Sequence, residues 1–343
     1  MTANHQWLLK RRPAAMPSED DFELVETSVP EPGDGEFVMR ASVLSVDPYM
    51  RGRMRDVKSY VPPVQIGEVM TGASVGAVIA SKHPDFKEGD IVEGRFGWQD
   101  YALSDGRADG ARKVDPSLAP ISTALGVLGM PGMTAYFGLT EVGQPKEGET
   151  VLVSAASGAV GGLVGQIARI KGCRAVGIAG GPEKCAYLKE ELGYDAAIDH
   201  RTAKDMKAMA AAIGEAAPEG IDVYFDNVGG MTLDAVLTRI NLHARIAICG
   251  MISEYNQTEQ ELAPRPTRAL LVQRARMQGL IVFDWADRYG EGMAQMAAWI
   301  KEGKLKYRED ILEGIENMPK AMLRLFSGQN FGKQLVRAAP DPA

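Results

Sequence analysis

The sequence predicts an α/β protein of two domains, a doubly wound parallel sheet and a mainly β domain. Three observations carry this. The 343 residues exceed one domain of roughly 150 residues. Strand-like runs dominate the first 125 or so residues, after which strands alternate with longer helical stretches. A glycine-rich turn follows a strand and opens a helix near Gly158.

In the N-terminal part, Phe37-Val38-Met39 and Ser74 to Ile79 are apolar runs bounded by Pro30-Glu31-Pro32-Gly33 and Lys87-Glu88-Gly89-Asp90. Gly72 and Gly76 beside or inside a strand imply bulges or tight bends of a small barrel. Val151 to Ser154 then reads as the first strand of the alternating part, and Gly161 to Lys171 as its helix. Arg174 to Ala179 is the next strand, with Pro182 in the first turn of the following helix and Gly193 past its end. Further strands are expected at Ala196-Ala197-Ile198, Val223-Tyr224-Phe225, Ile246 to Cys249 and Leu280 to Phe283. Asn330 to Val336 reads as a closing strand that returns to the first domain, and Ala338 to Ala343 as a frayed end.

With 38 basic and 45 acidic residues the net charge is −7, and no Lys/Arg block occurs. Nucleic acid and anionic membranes are therefore not expected partners. No run approaches the roughly 18 apolar residues of a membrane span. The start, Met1 to Trp7, carries no apolar signal core. Three cysteines, Cys173, Cys185 and Cys249, cannot build a disulfide framework and fit a cytoplasmic protein.

Ala155 to Gly162 has the character of a phosphate turn, because glycines let the backbone approach a pyrophosphate at a helix N-terminus. Ala156 stands where the first glycine of the usual pattern would be. An NAD site places an acid about 20 residues on, to hold the ribose 2′-hydroxyl. Here that position reads Ala179-Gly180-Gly181, while Lys184 follows within a turn and His200-Arg201 ends the next strand. Absent acid and nearby cations point to the 2′-phosphate of NADP. The alternative for Lys184 is an ordinary solvated lysine.

No metal site is expected. A structural zinc needs about four closely spaced ligands, but the cysteines are dispersed and His5, His83, His200 and His243 show no pairing. Gly67-Glu68 lacks the neighbouring His that a catalytic zinc would want. No Gly-x-Ser-x-Gly occurs, so a hydrolase nucleophile is unsupported.

Several motifs resemble one family when taken together. They are Val46-Asp47-Pro48-Tyr49-Met50-Arg51, Ala155 to Gly165, Glu183 to Leu188, Phe225-Asp226-Asn227-Val228-Gly229-Gly230, Arg245 to Gly250, Glu313 to Pro319 and Asn330-Phe331-Gly332-Lys333. In this order, nearly end to end, they resemble the zinc-independent medium-chain reductases of the leukotriene B4 12-hydroxydehydrogenase, prostaglandin reductase and curcumin reductase group. The resemblance implies a GroES-like catalytic domain from residues 1–128 and 305–343 and a Rossmann domain over 129–304. It also implies a homodimer and NADPH-dependent reduction of activated C=C bonds in enones or enals. By the same resemblance Gly158, Ala159, Val160 and Gly161 cradle the pyrophosphate, Lys184 meets the 2′-phosphate, and Asn227 contacts the cofactor. Cys249, Gly250, Met251, Ile252, Ser253 and Tyr255 flank the nicotinamide with Leu280, Ile281 and Val282, and Asn330 closes the pocket. One departure stands out. Where the family often has a phosphate-binding Tyr in an Asn/Asp-Tyr-Lys run, this chain has Asp199-His200-Arg201, so His200 or Arg201 takes that contact.

Without a metal or a nucleophile, the chemistry expected is hydride addition to the β-carbon of a conjugated carbonyl, with charge building on its oxygen. A hydrogen-bond donor at that oxygen accelerates the step. Tyr255 and Tyr60 are the candidate catalytic donors, each on an expected loop, and the cofactor ribose is the alternative source. Quinone reduction and a non-catalytic dinucleotide-binding role are the alternative functions. Tyr49 and Arg51 read equally well as structural or functional.

Overall fold

The computed structural model describes residues 3–259, 262–263 and 266–342. Met1, Thr2 and Ala343, which belong to the two terminal readings above, lie outside the described residues. The chain divides into two compact units, Met1–Gly126 with Glu309–Ala343, and Val127–Arg308.

In chain order the first unit opens with strands β1 (Ala3–Leu9), β2 (Phe22–Ser28) and β3 (Phe37–Ser45) and the short helix α1 (Met50–Arg53). Strands β4 (Ser74–Ser81), β5 (Ile91–Gly94), β6 (Tyr101–Ser104) and β7 (Arg112–Lys113) follow. The second unit runs α2 (Met130–Phe137), β8 (Thr150–Val153), α3 (Gly161–Ile170), β9 (Arg174–Ala179), α4 (Pro182–Glu190) and β10 (Ala196–Asp199). It continues with α5 (Met206–Ala216), β11 (Ile221–Asp226), α6 (Gly230–Leu237), β12 (Ile240–Ile248), α7 (Arg268–Val272), β13 (Arg276–Gly279) and α8 (Tyr289–Lys301). The chain ends with β14 (Glu309–Glu313), α9 (Met318–Phe326) and β15 (Lys333–Arg337), back in the first unit.

The first unit holds a seven-stranded sheet in the order β14-β15-β3-β4-β5-β7, with β6 also on β3, and a β1-β2 hairpin. Its core gathers Leu9, Phe37, Met39, Met50, Trp98, Met318 and Val336. Gly76 is dictated by contact: a Cβ there would lie 1.9 Å from the Arg40 carbonyl oxygen, beside a register shift between Ala41 and Val43. Strand β15 pairs antiparallel with β3, so the chain's two ends share one sheet. A buried ion pair joins the same two segments. Lys333 Nζ donates to Asp47 Oδ1 at 2.6 Å, to Ser45 Oγ at 2.7 Å and to the Val46 carbonyl at 3.0 Å. Arg51 is fully buried and donates to the Pro13 and Ala15 carbonyls, so it anchors the 13–15 loop. Burial raises the pKa of the Tyr49 phenol.

The second unit is a six-stranded, all-parallel sheet in the order β10-β9-β8-β11-β12-β13. Its inner strands β8, β9 and β11 are apolar on both faces, as a sheet covered on each side requires. Val151, Val153 and Phe225 pack on one face against Leu163, Ile167 and Phe137, whereas Leu152, Val176 and Tyr224 pack on the other against Met209, Ile213 and Val236.

Three expectations are corrected. The strand placed at Leu280 to Phe283 lies instead at Arg276–Gly279, in register with Arg245–Ile248, and Val282–Arg288 is a 3₁₀ segment. The apolar run Leu280 to Val282 is buried by packing rather than by strand pairing, for Leu280 and Val282 join the core with Phe137 and Phe225. The tail is not wholly frayed, because the Ala338 and Ala339 N–H groups both donate to the Ser42 carbonyl. The closing strand also begins later than expected, at Lys333, after Gly332 at φ 83°.

Candidate active site

All six strands of the second unit are parallel, so their carboxyl ends lie along one edge of the sheet. An α/β fold binds its ligands at that edge. The turn after β8, Gly180-Gly181 after β9, His200 after β10, Asn227 after β11, Cys249 to Tyr255 after β12 and Leu280 after β13 all belong to it.

The turn after β8 is the most constrained. Ala155 takes φ 47°, and a Cβ on Gly161 would lie 2.4 Å from the Ala155 carbonyl oxygen. Only glycine lets the helix start this close to the strand. Ala156, in the first-glycine position, is tolerated because it is fully buried over Gly177, where a side chain would meet it at 2.9 Å. Helix α3 begins at Gly161 and directs the positive end of its dipole at the turn. Tyr194, from beyond α4, braces this first turn: its hydroxyl donates to the Gly161 carbonyl at 2.6 Å and accepts the Gly165 N–H at 3.1 Å.

Gly180 and Gly181 follow β9 beneath an imidazole and a guanidinium. A Cβ on Gly180 would lie 2.8 Å from His200 Nε2, and one on Gly181 3.0 Å from an Arg201 guanidinium nitrogen. Asp199 holds this corner, its Oδ1 accepting the Gly181 N–H at 2.8 Å and the Arg201 N–H at 2.9 Å. Although burial pushes the other way, these bonds and the charges of His200 and Arg201 keep the Asp199 carboxyl below its ordinary range. The His200 imidazole is held below its ordinary pKa by partial burial and by the charges of Arg201 and Lys184, against the pull of Asp199. Lys184, His200 and Arg201 are thus brought together around one glycine turn. His200 and Arg201 both face it, where the sequence left a choice between them.

Strands β11 and β12 build the centre of the edge. Asp226 is fully buried, and its Oδ1 accepts from Tyr224 Oη at 2.7 Å, the Val228 N–H at 2.9 Å, the Gly229 N–H at 3.0 Å and Ser154 Oγ at 3.1 Å. Burial nevertheless raises its pKa above the usual carboxylate range. Asn227 is pinned to the end of β8, its N–H donating to Ser154 Oγ and its Nδ2 to the Ser154 carbonyl. The Cys249–Tyr255 loop lies across this turn. Cys249 and Gly250 N–H donate to the Asp226 carbonyl, Ile252 N–H to that of Asn227, and Ser253 Oγ to that of Val228. The Tyr255 hydroxyl folds back over Gly250 and accepts the Met251 N–H at 3.2 Å. Burial, with Asp226 adding to it, pushes the Cys249 thiol up to about 12, which makes it a packing residue and a poor nucleophile.

Leu280 and Val282 bury their side chains in the core, so at this edge their segment offers its backbone and Ile281. Tyr60, 55% exposed, and Asn330, whose Nδ2 donates to the Gly332 carbonyl, belong to the other unit. Sequence reasoning missed Ser154, Tyr194 and Asp199 as parts of the site. Each acts through a contact formed only in the fold, over as many as 73 residues for Ser154 and Asn227.

The residues fit a dinucleotide: a strand-to-helix turn that a Cβ would fill, a second glycine corner lined by cations, and hydrogen-bonded loops along one edge. Among the described residues no three His, Cys, Asp or Glu side chains gather as metal ligands would, and no helix is long and apolar enough to cross a membrane.

Comparison with known proteins agrees with this geometry. Residues 5–114 match the N-terminal domain of oxidoreductase, and residues 159–299 match the family described as zinc-binding dehydrogenase. The chain is 48% identical to NADPH-dependent curcumin reductase of Escherichia coli (strain K12), over 98% of each chain. It is 44% identical to the NADP(+)-dependent 2-alkenal reductase of Nicotiana tabacum, over 99% of this chain and 98% of that one. CurA from Vibrio vulnificus, solved in complex with NADPH, superposes with a TM-score of 0.92 at 47% identity, covering 98% of this chain and 99% of that one. The chain belongs to the zinc-independent medium-chain dehydrogenase/reductase family, in the group of NADP-dependent oxidoreductases that holds the curcumin and 2-alkenal reductases.

Proposed function

We propose that this chain is an NADPH-dependent reductase of the C=C bond of α,β-unsaturated ketones and aldehydes. The observation that carries the reading is the cationic corner at Gly180-Gly181, which has Lys184, His200 and Arg201 where an NAD site has a carboxylate. The similarity to reductases named for curcumin and for 2-alkenals supports the substrate class.

NADPH, when bound, supplies a hydride. The residues of this chain do the rest. Gly158, Ala159, Val160 and Gly161 hold the pyrophosphate against the start of α3, and Lys184, His200 and Arg201 hold the 2′-phosphate. Asn227, Cys249, Gly250, Met251, Ile252 and Ser253 line the nicotinamide end with the Leu280–Val282 backbone. Tyr255 is the hydrogen-bond donor to the carbonyl oxygen on which negative charge develops. Accepting the Met251 N–H holds the phenol oxygen in place. Tyr60 is the second candidate for this role. The protein works as a homodimer in the cytoplasm.

The test follows NADPH oxidation against a panel of 2-alkenals, enones and quinones. Turnover of enals and enones well above that of quinones is expected. A quinone-only profile would make the chain a quinone reductase, and tight NADPH binding with no turnover of any acceptor would make it a binding protein.

A further inference from the structure

Resting on the NADP reading above, we infer that His200 makes NADPH binding proton-linked: the imidazole takes up a proton as the cofactor's 2′-phosphate docks at the Gly180-Gly181 corner. His200 Nε2 and the Arg201 guanidinium stand close over adjacent glycines, 2.8 Å and 3.0 Å from the respective Cβ positions. The corner is rigid, because Asp199 Oδ1 ties the Gly181 and Arg201 N–H groups together.

The charged and titratable groups facing His200 are Asp199 and Arg201 from its own segment and Lys184 from α4. Of these side-chain types, imidazole alone changes its charge between pH 5 and 8. Partial burial and the charges of Arg201 and Lys184 favour the neutral ring, against the pull of Asp199. A phosphate monoester is close to dianionic at pH 7, its second pKa being about 6. Its arrival replaces cation repulsion by attraction and raises the imidazole pKa. The balance is simple: neutral imidazole, one proton from solvent and the dianion become imidazolium paired with the dianion, and no electrons move.

The sign follows from linkage. A group whose pKa is higher in the complex favours binding below its free pKa, and the benefit is lost as pH rises through its pKa in the complex. One pKa unit corresponds to about tenfold in affinity. NADPH affinity is therefore expected to fall roughly three- to tenfold between pH 6.5 and 8.5. That range lies above the phosphate's own ionisation. NADH, without the 2′-phosphate, is expected to show no such fall.

The experiment titrates wild type, His200→Gln and His200→Tyr with NADPH and with NADH across this range by nicotinamide fluorescence. Calorimetry in two buffers of different ionisation enthalpy reads the protons taken up. Expected are a pH-dependent ratio of NADPH to NADH affinity and net proton uptake in wild type, both abolished in the two variants, while NADH binding stays at the wild-type level. A ratio that is flat with pH in wild type, or a slope that persists in His200→Gln, overturns the proton link. No preference for NADPH at any pH overturns the NADP reading itself, whereas a strong but pH-independent preference leaves that reading standing and removes only this one.

Discussion

The two side chains that matter most to the proposed reaction do different work, and substitution should separate them. Tyr255 is placed by the loop after β12, its oxygen held by the Met251 N–H. Losing a donor to a developing oxyanion lowers turnover by about a hundredfold, and less where a second donor shares the task. Tyr255→Phe is expected to lower kcat on a simple enone by roughly ten- to a hundredfold, with NADPH affinity near wild type in a fluorescence titration. Unchanged kcat with a raised KM would show that Tyr255 binds substrate uniformly, and Tyr60→Phe would then become the deciding substitution. Lys184 acts on the ground state instead. Removing a charge-assisted contact costs about 1.5–3 kcal/mol, or roughly ten- to a hundredfold in affinity. Lys184→Ala is expected to weaken NADPH by that factor and to spare NADH, and equal losses for both cofactors would assign Lys184 to structure.

At the scale of an element, helix α3 depends on a residue outside itself. A Cβ on Gly165 would lie 1.9 Å from the Tyr194 ring, so the phenol occupies the space that glycine leaves and bonds the helix backbone at Gly161 and Gly165. Tyr194→Phe removes the hydroxyl from a fully packed place. Unfolding by urea is expected to report a loss of about 1–3 kcal/mol, together with weaker NADPH binding, because the phosphate turn is the N-terminus of the same helix. A variant as stable as wild type would show that the brace contributes nothing. This element also marks where sequence reading stops. Strands β8, β9 and β11 were legible because burial on both faces writes them as continuous apolar runs. Strand β13, Arg-Met-Gln-Gly, was not, since an edge strand is half solvated and carries no such run, while the apolar Leu280 to Val282 beside it is buried by packing. The phosphate turn was legible because close approach demands glycine. Ser154, Tyr194 and Asp199 were not, because their roles arise from bonds between segments that only the fold brings together.

On the scale of the whole molecule, the chain's two ends close one sheet, and the Lys333–Asp47 pair joins the two motifs, Val46 to Arg51 and Asn330 to Lys333, that lie farthest apart in sequence. The parallel sheet of the other unit runs from β10 at one edge to β13 at the other. Among the described residues its edge strand β13 has a partner only in β12, and beside it Leu271 is 78% exposed, with Val272 and Leu242 also exposed. An open edge with exposed apolar side chains is a template for pairing with another chain. That edge is where the proposed homodimer is expected to form, two copies adding their β13 strands across a twofold axis. A specific interface of this kind buries on the order of 1,000 Å² or more, so a carboxylate in its apolar part should be decisive. Light scattering after size exclusion is expected to give twice the chain mass for wild type and the single-chain mass for Leu271→Asp, with NADPH affinity retained because Leu271 lies outside the carboxyl-end loops. A monomeric wild type would remove the dimer from the proposal, and a Leu271→Asp variant that stays dimeric would move the interface to another surface.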